Sequence, residues 1–210
     1  MEFLVTPSTI VYSTSLYNIP TIRQKWVDQR PPTYALHLAA SAGLTSAIIR
    51  LLEAGCDVNE KDRTDSTSLY YACLSTDLDT VQVLIDKNAD VNAQGEYYGN
   101  ALQAASAGGH EQLVKMLFDN DADVNVQSGR CSNALQAASA RGHEQVVKML
   151  LDKGANVNAE DGDYGNALQA ASLEGHEEIV KVLLKKGADN SVLKRFKRPH
   201  VLSDYVPSLS

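Results

Sequence analysis

The chain has 210 residues, 44% hydrophobic, 21% charged and only 6% aromatic, so its core has to be built from Ala, Leu, Val and Ile. Its formal net charge of -7 argues against general affinity for nucleic acid or an anionic membrane. Three dispersed cysteines, Cys56, Cys73 and Cys131, form no C-x-x-C pair, which removes zinc-ligand spacing and suits a reducing, cytoplasmic compartment.

The N-terminal stretch MEFLVTPSTIVYS lacks a basic start, carries Glu2 and is broken by Pro7, so it does not read as a signal peptide. No run of ~18 apolar residues follows, and no membrane span is expected. TIRQKWVDQR at 21–30 predicts a short helix between Pro20 and Pro31, with Trp26 placed to cap what comes next.

A fixed beat then begins. Leu36, Leu69, Leu102, Leu135 and Leu168 recur every 33 residues without insertion. They define five units, 32–64, 65–97, 98–130, 131–163 and 164–196, between an N-terminal segment 1–31 and a tail 197–210. Such self-similarity outranks local signals in deciding a fold.

Each unit predicts two helices. The first starts at Asn100, Asn133 or Asn166 in the three most similar units, because an Asn side chain accepts a free backbone N–H. It ends near Gly109, Gly142 or Gly175. The second runs through HEQLVKMLFD, HEQVVKMLLD or HEEIVKVLLK, with apolar residues such as Val146, Val147, Leu150 and Leu151 on one face. Small residues follow each anchor leucine: Ala104-Ala105-Ser106, Ala137-Ala138-Ser139 and Ala170-Ala171-Ser172. A pair of short helices cannot bury its apolar face alone, so neighbouring units must stack.

The repeats ALHLAASAGL at 35–44, GHEQVVKMLLDKGANVNA at 142–159 and GHEEIVKVLLKKGAD at 175–189 resemble ankyrin repeats. The resemblance implies an all-α solenoid of stacked antiparallel helix pairs with projecting hairpin loops. The NALQAAS form is similar to repeats common in filamentous fungi, often beside a nucleotide-binding NACHT module that this chain lacks. The family's Thr-Pro-Leu-His is replaced by Asn-Ala-Leu-Gln, and Gln103, Gln136 and Gln169 are expected to link neighbouring backbones as the family's His does. His37 keeps the usual residue. Unit two departs most, with Thr76-Asp77 in the Gly-His columns and Tyr70-Tyr71 in the Gln-Ala columns, and is expected to form the least stable junction. Asn190 and Ser191 replace a Val and an Asn at the end of the last unit, a polar switch that suits a wet terminal face.

No catalytic spacing survives inspection. HEQLV, HEQVV and HEEIV lack the second histidine of H-E-x-x-H. His110, His143 and His176 would sit on stacked helices about 8–10 Å apart, too far to share one zinc ion. A nucleophilic Cys131 would be ~15 Å from His143 along the intervening helix. No Walker loop, nucleophile elbow or kinase signature occurs. We therefore expect a non-enzymatic monomer with no metal and no cofactor, which binds another protein.

The resemblance places binding on the loop tips, 60–66, 93–99, 126–132 and 159–165, and on the exposed ends of the first helices. Matching positions there are Leu74, Ser75, Ala107, Gly108, Ala140, Arg141, Leu173 and Glu174. Candidate contacts are Arg63, Asp65, Leu74, Tyr97, Tyr98, Arg130, Arg141, Asp163, Tyr164, Leu173 and Glu174. Tyr and Arg bring area and hydrogen bonding together. Tyr98 and Tyr164 share a column, so packing beneath their own loops is the competing reading. Loops 60–66 and 159–165 are acidic on balance and suit a partner with a basic patch. The basic LKRFKRPH at 193–200 is either a solvated end, a nuclear import signal or a contact for an acidic partner.

Overall fold

The computed structural model describes residues 34–95, 99–129, 133–160 and 164–191. The expected capping helix with Trp26, the basic tail, Cys131, Tyr97, Tyr98, Arg130 and Asp163 lie outside them. Among the described residues ten helices form five successive pairs: α1 Ala35–Ser41 and α2 Thr45–Glu53, α3 Ser68–Ser75 and α4 Leu78–Asp86, α5 Ala101–Ala107 and α6 Glu111–Asp119, α7 Ala134–Arg141 and α8 Glu144–Asp152, α9 Ala167–Glu174 and α10 Glu177–Lys185. Only an isolated bridge, Lys61 with Thr67, represents β-structure among the described residues. Loop closures continue the hairpin pattern: the Asp62 N–H donates to the Ser66 carbonyl at 3.0 Å and the Gly95 N–H to the Gly99 carbonyl at 3.1 Å.

The core follows the repeat columns. The anchor leucines are 0–3% exposed, and Ile48, Val81, Val114, Val147 and Val180 line the second helices at 0–2%. Two small-residue columns on the first helices show which way each face points. Leu38 is exposed, yet its counterparts Ala104, Ala137 and Ala170 are buried, so that column faces the preceding unit. Ala40, Cys73, Ser106 and Ser139 are all fully buried, and only Ser172, in the last unit, is partly open. That column faces the following unit. The hydroxyls of Ser106, Ser139 and Ser172 make no hydrogen bond, so size rather than polarity is what close approach of the helices requires there.

The Asn caps form as expected. Asn100, Asn133 and Asn166 accept from the amides of Gln103, Gln136 and Gln169 at 2.9 Å. Reciprocal capping boxes close at Asn100 and Asn166, where the glutamine Oε1 accepts the cap residue's own N–H. Unit four has no such box: the Gln136 Oε1 is buried without a partner. Glycine precedes the asparagine in both boxed units. A Cβ at Gly99 would lie 1.6 Å from the Gln103 Oε1, and at Gly165 2.0 Å from the Gln169 Oε1. In sequence, unit four carries Ser132 in this column, outside the described residues. Gln136 instead donates through Nε2 to the carbonyls of Ala159 and Gly165. It thereby links unit four to unit five, the role expected for the column; Gln103 also donates to the Ser128 carbonyl.

Candidate functional site

Two polar ladders hold the exposed face in place. The first is an asparagine clamp. Asn59, Asn92, Asn125 and Asn158 each donate through Nδ2 to a carbonyl of the next unit, at 3.0–3.2 Å. Each also accepts an amide from that unit through Oδ1, at 2.7–2.9 Å. One side chain thus satisfies two backbone groups that stacking would otherwise leave unpaired. The ladder ends where Ser191 replaces the next Asn.

The second ladder runs through the histidines that open the second helices. His143 Nε2 meets the Ala107 carbonyl at 2.9 Å, and His176 Nε2 meets the Ala140 carbonyl at 3.2 Å. Each ring reaches back one unit and fixes the C-terminal end of the preceding first helix. His110 makes no such bond.

The first two units are tied differently. His37 Nε2 lies 3.0 Å from the Glu60 carbonyl and 3.1 Å from that of Ser66, and its ring meets Tyr71 edge-on. The Tyr71 hydroxyl donates to the Asp62 carboxylate at 2.6 Å. Asp62 also receives the amides of Thr64 and Ser66 and the Thr64 hydroxyl. Burial alone would raise the Asp62 carboxyl, but these donors outweigh it and hold it below the usual carboxylate range. Asp77 stands in the histidine column and accepts from Thr80 at 2.8 Å and Thr45 at 3.4 Å.

The described candidates divide by position. Leu74 is 48% exposed and Leu173 38%, in the same column at the ends of α3 and α9. Arg141 and Glu174 are exposed beside that column on α7 and α9. Between the two leucines the column was expected to stay open, but Ala140 is only 9% exposed and Ala107 is half-buried. Their carbonyls are the histidine acceptors, so the strapping rings cover them. Ser75 is likewise half-buried, and Gly108 is exposed. Arg63 and Asp65 are exposed on the loop that Asp62 organises; the Arg63 guanidinium lies 5.9 Å from the Tyr34 ring centre. Tyr164 is half-buried, which keeps both of its readings open. Sequence reasoning did not single out Tyr71 or Asp62 as organisers of this loop. The departure of Tyr71 from its column was the signal.

Among the described residues no group of three His, Cys, Asp or Glu side chains could hold a metal ion, and no helix is long and apolar enough to cross a membrane. The family model for ankyrin repeats matches residues 18–95, 36–128 and 101–193 in three copies. The chain belongs to the ankyrin-repeat family. Ankyrin repeats generally mediate protein–protein interaction and are typically non-enzymatic, which fits a face made of fixed loops and helix ends. No curated protein matches this ankyrin-repeat chain.

Proposed function

We propose that this ankyrin solenoid binds a partner protein through the exposed ends of its first helices and the adjoining loops. The observation that carries the reading is the pair Leu74 and Leu173, large apolar side chains left exposed in a column whose inner members are small and covered. Arg141 and Glu174 flank that column with opposite charges and supply orientation. The histidine straps and asparagine clamps hold these elements before a partner arrives, so little conformational entropy is lost on binding. The acidic balance of residues 32–189, 23 acidic against 12 basic, favours a partner with a basic patch. Action as the recognition part of a larger regulatory or immune-type protein uses the same face. The small, odd number of dispersed cysteines in the sequence motivates a cytoplasmic location, with nuclear entry through the 193–200 cluster as the variant.

The test is affinity capture from the native cell with wild type and a Leu74→Ser/Arg141→Ala/Leu173→Ser variant. Specific partners should be lost from the variant while its helical content is unchanged. Equal recovery of the same proteins would place binding elsewhere.

A further inference from the structure

The junction at which the histidine strap fails is the one whose seat carries a side chain. His143 and His176 lie so close over Gly109 and Gly142 that a Cβ there would fall 2.4 Å from the His143 Nδ1 and 2.7 Å from the His176 Cε1. Thr76 occupies the same column with the same left-handed backbone, φ 65° against 72° at Gly109 and 80° at Gly142, and it possesses that Cβ. His110 is therefore excluded from the seat. Its ring turns onto its own unit, over Gly108, where a Cβ would come within 2.1 Å of Nε2. Units four and five hold Arg141 and Glu174 in the Gly108 column and offer no such refuge. Thr76 closes one position for the imidazole, and Gly108 opens another.

We propose that the junction between units two and three is a built-in hinge, dividing the solenoid into a two-unit block and a three-unit block. The first block is fastened by Tyr71 to Asp62, by His37 to the Glu60 and Ser66 carbonyls, and by Thr45 to Asp77. The second is fastened by His143 and His176. The Asn92 clamp crosses between the blocks near the loop side, but the end of α3 is not strapped to α6. Opening there pivots about the clamp and separates the helix ends. Leu74 rides on one block, and Arg141 and Leu173 ride on the other. The hinge thus sets the spacing of the binding face; that consequence alone rests on the proposed function.

Cys73 reports the opening. It lies in the column that faces the following unit, is fully buried, and burial pushes its thiol up to about 12. In full-length chain carrying Cys56→Ser and Cys131→Ser, native-state alkylation of Cys73 reads exposure of this junction. Thr76→Gly admits His110 to its seat and should slow labelling roughly 3- to 10-fold, the worth of one hydrogen bond. Thr76→Asn tolerates the positive φ but keeps the Cβ, so it reveals the share due to backbone relief alone. His110→Ala should erase the extra slowing in the Thr76→Gly background and alter labelling less than about twofold in the others. The hinge is refuted if His110→Ala acts equally in all three backgrounds. It is equally refuted if Cys73 labels only with the denaturant dependence of global unfolding.

Discussion

Between units three and four the imidazole of His143 lies on a bare glycine and grips the end of the preceding helix. Between units two and three the same residue, His110, faces a threonine and lets go. The two junctions share anchor leucines, small packing columns and an asparagine clamp, and at the histidine seat they differ by the Cβ of Thr76. In a solenoid, stability is a sum of unit and interface terms, so a local substitution weakens one interface and leaves the rest intact. A uniform repeat would open from its ends. One altered column gives this chain an internal place to open.

The largest test of that contrast uses the core of each block. Leu84→Ala and Leu150→Ala should each cost about 2–5 kcal/mol, since both side chains are fully buried. By hydrogen exchange the first should deprotect α1–α4 and spare α7–α10; the second should do the reverse. Uniform loss of protection from either variant would break the two-block picture. Next is the clamp itself. Asn92→Ala removes two bonds at the unstrapped junction and should cost about 1–2 kcal/mol. It should also raise Cys73 labelling far more than Asn125→Ala, whose junction retains the His143 strap. Chemical denaturation and thiol labelling of both variants check this.

A smaller effect sharpens the comparison within the second block. Ser132→Gly should let the Gln136 Oε1 accept the Asn133 N–H and complete a third capping box, a gain of about 0.5–1 kcal/mol visible as a raised midpoint. No gain would mean that the identity of residue 132 does not decide whether the box closes.

The smallest effect is in pH. Burial, and then the neighbouring His143, hold the His110 imidazole below its ordinary 6.5. Its protonation is thus easier in the unfolded chain, and stability present above 6.5 is lost as pH falls from 6.5 through the lower, folded value. Asp62 is depressed from 3.8, so the stability it lends the first block is present above 3.8 and is lost as pH falls through the lower, folded value. Acid titration followed by hydrogen exchange should therefore show unit three, which houses His110, losing protection before the contact between units one and two. The reverse order would contradict the assignment.

The sequence by itself determined the architecture. A fixed 33-residue interval, Asn before Ala-Leu, and glycine after the small columns sufficed to place ten helices, their caps and their buried leucines. These signals are local or strictly periodic, and each repeat restates them. It also marked unit two as the odd one, through Thr76, Asp77, Tyr70 and Tyr71. It could not say which side of that unit was weak. Tertiary structure decided this, because Tyr71 and Asp77 bind back to unit one while Thr76 stands in the column that seats the following unit's histidine elsewhere. The same limit hid the coverage of Ala107 and Ala140 by imidazoles from the next unit. Each is a contact between residues whose identities are ordinary alone, and whose effect depends on a gap narrower than a methyl group between two stacked units.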